Sequence, residues 1–376
     1  MTDLPMQTAL DLAASALFIT SPNPRVGCLL VAADGQVIGQ GHTQRAGGPH
    51  AEIMALRDAA ARGHSTVGAT AYVTLEPCAH HGRTGPCCDA LAAAGIAKVV
   101  GAITDPNPLV AGNGFGRLRA AGVEVVVCTP EDGGEASREL NIGFFSRMVR
   151  KQPWVRLKAA MSLDGATALP DGSSQWITGE AARADGHHWR ARACAILTGV
   201  GTVLADDPAL DVRYVQTPRQ PRLVVLDSQL RTPPRARIFA AEREVLVYTR
   251  SNDSARQAAL EAAGATIVQL PAVAPQAAGS DSRIDLAALM QDLGAREVNE
   301  LHVEAGGILN GALLQAGLVD ECLLYLAPKL LGQGLGAFGG MALQGLDEAT
   351  ALDIRSIEPL GADLRILARV QGHGSF

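Results

Sequence analysis

Pro77-Cys78-Ala79-His80-His81-Gly82-Arg83-Thr84-Gly85-Pro86-Cys87-Cys88, preceded by His50-Ala51-Glu52, is the stretch around which the chain is read. Neutral imidazole from His50 and thiolates from Cys78 and Cys87 are zinc ligands by type. Three protein ligands leave a fourth tetrahedral position for water, the mark of a catalytic rather than a structural ion. Glu52, two residues past the histidine, is an acid placed to move protons instead of binding metal. A closed structural site needs a fourth protein ligand, and Cys88, His80 or His81 is available by type. Adjacent Cys87 and Cys88 point in different directions on a helix, so Cys88 is assigned to packing. A structural ion would also leave Glu52 without a use, and the catalytic reading is preferred.

Outward from this stretch, the first half alternates strands and helices. Met6 to Thr20 has apolar residues at helical spacing, and Ser21-Pro22-Asn23-Pro24 stops it. Val26 to Val31 is a buried strand, and Asp34-Gly35 turns it into a hairpin. Pro49 to Arg62 predicts a helix with His50 and Glu52 in its first turn. Thr70 to Leu75 predicts a strand, and Pro77 a helix start. Helix, strand, helix, strand then follow as far as Cys128. Alone, Asn23 is a turn residue and His42 a solvated loop histidine. On loops leading to the metal motif, both become candidates to touch a bound base.

At 376 residues and 39.0 kDa, two domains are expected. A net charge of −6 with 4% aromatic residues argues against a nucleic-acid surface. No apolar run is long enough to span a membrane, and the N-terminus lacks the basic and apolar regions of a secretion signal. Seven cysteines, odd in number and scattered, do not form a disulfide framework, so a cytoplasmic protein is expected.

H-x-E followed by P-C and a second Cys is similar to the zinc-dependent base deaminases. Their usual spacing is P-C-x-x-C, whereas eight residues separate Cys78 from Cys87 here. With Pro22-Asn23-Pro24 before the insert and Asp105-Pro106-Asn107-Pro108 after it, nearly the whole chain resembles the bifunctional riboflavin-biosynthesis deaminase/reductases. One departure is Gly85, where that family often has a second proline. The resemblance implies a phosphoribosylated pyrimidine substrate, 2,5-diamino-6-ribosylamino-4(3H)-pyrimidinone 5′-phosphate. Arg83 and His80 in the insert are then placed to engage its phosphoribosyl tail, as Arg geometry suits phosphate. It also implies a cytidine-deaminase-like three-layer α/β domain over 1–147, then a dihydrofolate-reductase-like α/β domain over 153–376, with Zn²⁺ and NADPH as cofactors.

In the second half, Trp154 to Ala159 is a strand that opens Lys158-Ala159-Ala160-Met161-Ser162-Leu163-Asp164-Gly165. Ser173-Ser174-Gln175-Trp176 follows, then strands at Ala193 to Thr198 and Leu223 to Leu226. The resemblance implies Lys158, Asp206 and Glu304 near the sugar, with Ser174, Arg190, Leu210 and Arg213 holding the substrate. It implies cofactor contacts at Ala160, Trp176, Thr202, Asp206 and Ser228. Glu304-Ala305-Gly306-Gly307 between a strand and a helix lets backbone N–H groups of Gly306, Gly307 and Ile308 approach a pyrophosphate. It is not the G-x-G-x-x-G fingerprint, so a plain Rossmann reading is rejected. Pro271 to Ser282 reads as a flexible loop, and Lys329-Leu330-Leu331-Gly332 opens a glycine-rich run to Gly340. The apolar Val319 to Leu326 strand serves equally as core or as subunit interface, and a homo-oligomer, dimer or tetramer, is expected.

The expected chemistry is hydrolytic deamination followed by reduction of the ribosyl chain to ribityl by NADPH. A free-base or nucleoside deaminase with a non-catalytic nucleotide-binding half is the first rival. A zinc-stabilised regulator is the second. The long Cys spacing and Asp206-Asp207-Pro208 disfavour the one, and Glu52 disfavours the other.

Overall fold

A computed structural model describes residues 4–79, 85–108, 110–270, 284–341 and 343–376. The chain divides into two compact units, Met1–Arg150 with Phe376, and Lys151–Ser375.

The first unit runs α1 (Leu4–Ser15), β1 (Gly27–Val31), β2 (Val37–His42), α2 (Ala51–Ala61), β3 (Thr70–Val73), α3 (Cys87–Ala93), β4 (Lys98–Gly101), α4 (Asn113–Ala120), β5 (Glu124–Val127), α5 (Glu135–Leu140) and α6 (Ile142–Arg150). Its sheet has the order β2-β1-β3-β4-β5, antiparallel across the first three strands and parallel across the last three. Alternate residues of β1 serve opposite faces, as the two-residue period of a strand requires. Cys28 and Leu30 pack with Ala51, Ala55 and Ala59 of α2, Leu91 of α3 and Phe115 of α4. Leu29 packs on the other side with Met6, Ala9 and Leu10 of α1. The result is three layers, helix, sheet, helix.

The register of α2 is set by small residues. A Cβ on Gly41 would lie 2.5 Å from Met54 Cβ and 2.7 Å from the Ala51 oxygen, and one on Gly39 2.4 Å from the Ala55 oxygen. Glycine on the strand and alanine on the helix let the two backbones come this close. That contact fixes where α2 begins, and so where His50 and Glu52 stand.

The second unit comprises β6 (Trp154–Ser162), β7 (Ala166–Ala168), α7 (Glu180–Arg192), β8 (Ala195–Gly199), α8 (Val200–Asp206), β9 (Arg222–Leu226), β10 (Val245–Thr249), α9 (Ser254–Ala262), β11 (Ala265–Gln269), α10 (Leu286–Ala295), β12 (Glu300–Val303), α11 (Gly307–Gln315), β13 (Glu321–Ala327), β14 (Leu335–Gly336), β15 (Leu352–Leu360) and β16 (Asp363–Val370). Nine strands form one sheet, β11-β10-β9-β8-β12-β6-β13-β16-β15, parallel up to β13 and closed by an antiparallel hairpin. One core cluster joins β6, β8, β12 and β13 to α10 and α11 through Leu157, Leu197, Val303, Leu289 and Leu313.

Several expectations are corrected. No helix begins at Pro77: that segment is coil, and the helix starts at Cys87, whose N–H donates to the Cys78 sulfur at 3.3 Å. The run from Glu135 to Arg150 is helical, but not as one helix. Asn141 breaks it by turning its buried side chain to the Arg25 backbone, accepting from Arg25 N at 2.7 Å and donating to Arg25 O at 2.9 Å. His42 ends β2 rather than standing on a loop. Helices α7 and α9 and the β15–β16 hairpin were not expected from the sequence. The Pro271 to Ser282 segment lies outside the described residues. Among the described residues no helix is long and apolar enough to cross a membrane.

Candidate active sites

In the first unit, His50 is the residue immediately before α2 and Cys87 the first residue of α3, while Cys78 lies on the coil after β3. His50 Nδ1 lies 3.6 Å from Cys78 Sγ and 3.4 Å from Cys87 Sγ, and the ligand atoms all fall within 4.8 Å of one another. Tetrahedral zinc with Zn–N near 2.0 Å and Zn–S near 2.3 Å spans a nitrogen–sulfur edge of about 3.6 Å. The donor set therefore fits zinc in type and in spacing. The Cys78 thiol is lowered to about 4, first by its hydrogen bond with Cys87 and then, against burial, by His50. Cys87 is pushed the other way by sharing that bond and by burial.

Glu52 is buried in the first turn of α2, 3% exposed. Burial raises its carboxyl to about 7, against the pull of His50. Among the described residues it is not one of the ligand trio. Cys88 is buried in the apolar cluster, as its assignment to packing requires. Asn23 is half-buried on the turn after α1. His42 is half-buried too, with Nδ1 3.1 Å from the Thr43 oxygen and 3.3 Å from Gln44 Nε2. His80 and Arg83 lie outside the described residues.

Glu76 went unnoticed in the sequence. Its buried carboxylate accepts N–H groups from Asp105 at 3.2 Å, Gly112 at 2.9 Å and Phe115 at 3.1 Å. It thereby ties the segment leading into Cys78 to the Asp105-Pro106-Asn107-Pro108 loop and the start of α4. An acid flanked by Leu75 and Pro77 carries no periodic signal by which to find it.

In the second unit, many of the expected residues lie in the carboxyl half of a parallel strand or just beyond it. Lys158 and Ala160 are on β6, Thr202 and Asp206 on α8 after β8, Ser228 after β9, and Glu304 with Gly306, Gly307 and Ile308 after β12. Ligand sites of open α/β sheets occupy this edge. The side chains of Lys158, Arg190 and Glu304 meet. Arg190 grips Glu304 through two nitrogens, one of them at 2.9 Å, and Lys158 Nζ is 3.6 Å from Glu304 Oε2. Burial alone would raise the Glu304 carboxyl, yet Arg190 and Lys158 hold it well below the usual carboxylate range.

Arg190 also donates to the Asp211 carbonyl at 3.0 Å, which brings the Leu210–Arg213 segment to the same place. There the Arg213 N–H donates to His187 Nδ1 at 3.1 Å. Ser174 is half-buried, and Trp176 is 64% exposed with the Arg183 guanidinium 4.6 Å over its ring. Asp206 is exposed at the end of α8. His302 and Tyr325 escaped the sequence reading. His302 Nε2 is 3.4 Å from Glu304 Oε1, and the Tyr325 ring lies 5.9 Å under Lys158 Nζ.

Two family models match the chain, one for each half. Residues 2–103 match the cytidine and deoxycytidylate deaminase zinc-binding region, and residues 153–366 match the RibD C-terminal domain. The class is thus a zinc deaminase with a cytidine-deaminase-like fold, fused to a reductase with a dihydrofolate-reductase-like fold. The riboflavin biosynthesis protein RibD of Escherichia coli (strain K12) is 46% identical, with 96% of each chain covered. A solved structure of RibD from Acinetobacter baumannii is 40% identical with a TM-score of 0.86, covering 98% of both chains. The Thermotoga maritima diaminohydroxyphosphoribosylaminopyrimidine deaminase/5-amino-6-(5-phosphoribosylamino)uracil reductase has a TM-score of 0.83 at 31% identity, covering 97% of both. The chain belongs to the bifunctional riboflavin-biosynthesis deaminase/reductase family. It is an enzyme of two activities on a phosphoribosylated pyrimidine, with zinc serving the deaminase and NADPH the reductase.

Proposed function

We propose that residues 1–147 deaminate 2,5-diamino-6-ribosylamino-4(3H)-pyrimidinone 5′-phosphate and that residues 153–376 then reduce its ribosyl chain to ribityl. The observation that carries the first half is the spacing of His50, Cys78 and Cys87, with an unligated acid buried in the adjoining helical turn. Zinc held by that trio supplies the acidity that makes water nucleophilic near neutral pH. Glu52 takes the proton of that water as the carbon–oxygen bond forms. It then passes the proton to the amino nitrogen as the carbon–nitrogen bond breaks, so that ammonia leaves rather than amide ion. Asn23 and His42 are assigned to the base, and His80 and Arg83 to the phosphoribosyl group.

In the second half, NADPH held at the start of α11 would supply the hydride for C1′ of the ribose, and a proton must reach the ring oxygen as the C1′–O bond opens. Lys158 is the cation beside Glu304 and is assigned to that protonation, with Asp206 as a further polar group. Glu304, held ionised, accepts hydrogen bonds from substrate hydroxyls. Arg190 fixes its orientation and, with Ser174, Leu210 and Arg213, lines the substrate side. Ala160, Trp176, Thr202, Asp206, Ser228 and the start of α11 are assigned to NADPH.

We further assign the enzyme to the cytoplasm and to a homo-oligomer, dimer or tetramer. Supporting the first, all seven cysteines are free, as a reducing compartment keeps them. Supporting the second, edge strand β15 exposes Leu352, Ile354 and Ile357.

The test is to supply the zinc-loaded protein with the diaminopyrimidinone substrate and follow ammonia and nicotinamide absorbance together. Ammonia release should precede NADPH oxidation mole for mole. Oxidation of NADPH with no ammonia released would refute the order of the reactions.

A further inference from the structure

Two sequence stretches stand outside the chemistry above: Ser162-Leu163-Asp164-Gly165, and Lys329 to Gly332 with the glycine-rich run behind it. They bind each other. The Asp164 carboxylate accepts the Leu331 N–H at 3.1 Å, the Gly332 N–H at 2.8 Å and the Ser162 hydroxyl at 2.5 Å. The Leu163 N–H donates to the Lys329 oxygen at 2.8 Å, and the Ala337 N–H to the Gly165 oxygen at 3.2 Å. One turn after β6 thus holds both ends of segment 329–337.

The far end of that segment presses on the first turns of α11. A Cβ on Gly307 would lie 2.4 Å from the Gly336 oxygen, and one on Gly311 would lie 2.2 Å from the Gly339 oxygen. Buried Asn310 donates to the Ala337 oxygen at 3.0 Å and to the Ala305 oxygen at 3.2 Å. The near end reaches the other side of the cofactor region, where Lys329 Nζ donates to the Trp176 oxygen at 2.9 Å. Segment 329–339 therefore connects two places assigned to NADPH.

We propose that segment 329–339 is a clasp that sets the shape of the NADPH site, and that Asp164 is the positioning residue anchoring it. The proposal rests on the assignment of Gly306, Gly307 and Ile308 to the cofactor. Backbone N–H groups at a helix start hold phosphate only when their aim is fixed. Here the aim is fixed by backbone packed against backbone, and that packing is held in place by the Asp164 turn. Asp164 is itself exposed, and without it the buried Ser162 hydroxyl keeps the Ala166 backbone as partner, accepting its N–H at 3.0 Å and donating to its oxygen at 3.3 Å. The loss falls on preorganisation, which the ligand must then supply from its own binding energy.

The experiment uses the full-length, zinc-loaded protein, with the NADPH Kd read from nicotinamide fluorescence and KM and kcat measured alongside. Asp164→Ala should raise the Kd and KM for NADPH about tenfold, the equivalent of one or two lost hydrogen bonds. Reductase kcat at saturating NADPH and ammonia release should stay as they are. Asp164→Asn keeps an acceptor oxygen and should fall between Asp164→Ala and wild type. An unchanged Kd in folded Asp164→Ala overturns the proposal; if that variant does not fold, an unchanged Kd in Asp164→Asn does so. Gly307→Ala separates the two readings. Wild-type NADPH binding by Gly307→Ala removes the cofactor assignment itself, whereas weakened binding there with normal binding in Asp164→Ala removes only the clasp.

Discussion

At the scale of single residues, the front site depends on an acid that stands beside the ligand trio without belonging to it. Glu52→Gln keeps size and hydrogen bonding but cannot carry a proton. Its zinc content should stay at the wild-type level, while ammonia release falls by about two to four orders of magnitude. Normal deamination by this variant, measured with metal analysis on the same sample, would remove Glu52 from its role. His187 gives a prediction about pH. Burial lowers its imidazole from 6.5 to about 4, helped by Arg190 and Arg213 and opposed by Glu304 and Asp211. The folded form binds this proton less readily than the unfolded one, so its stabilising share is complete above 6.5 and is lost as pH falls towards 4. His187→Gln keeps an acceptor for the Arg213 N–H and should flatten that acid-side slope in denaturant titrations. An identical slope would show that His187 does not cause it.

At the scale of elements, helices come close to the metal loop through residues without side chains. A Cβ on Gly114 of α4 would lie 1.9 Å from the Pro77 oxygen, one residue from the Cys78 ligand. Gly114→Ala should push that segment outwards, lowering zinc occupancy and deaminase kcat while leaving NADPH oxidation intact. Gly116→Ala on the same helix meets nothing within 4 Å and serves as the control. Equal zinc content in the two variants would deny the coupling.

Helix α7 shows why some elements escaped the sequence. It lies over a charged face in which Arg156, 2% exposed, pairs with Glu300 at 3.0 Å and Glu321 at 2.6 Å, and Arg192 of α7 pairs with Glu300 at 2.7 Å. Trp189 covers the Arg156 guanidinium at 4.4 Å. A helix that buries ion pairs needs no apolar stripe, so periodicity does not reveal it. The β15–β16 hairpin was hidden for another reason. A register shift between Ile354 and Ser356 breaks the two-residue alternation by which a strand is read.

At the scale of the whole molecule, the two activities depend on different cofactors and different units. Treating the protein with a zinc chelator should abolish ammonia release while NADPH oxidation on already deaminated substrate continues. Re-adding zinc should restore the first activity alone. Parallel loss of both would place the metal in a shared structural role. The candidate residues of both reactions could be picked out where they are local in sequence: His50 with Glu52, Cys78 with Cys87, and Glu304 with Gly306 and Gly307.

The sequence alone carried the candidate ligand types, the candidate acid, the alternation of strands and helices, and the two-part architecture. Each is written in residues near one another, where composition and spacing act without the fold. Only the tertiary structure decided that Cys78 caps the helix begun by Cys87, that Arg190 on α7 grips Glu304 beyond β12, and that Asp164 holds Leu331 and Gly332. Those contacts join residues far apart along the chain. Hydrogen bonds and ion pairs of that kind form only once sheet order and helix packing have brought their partners within a few ångströms.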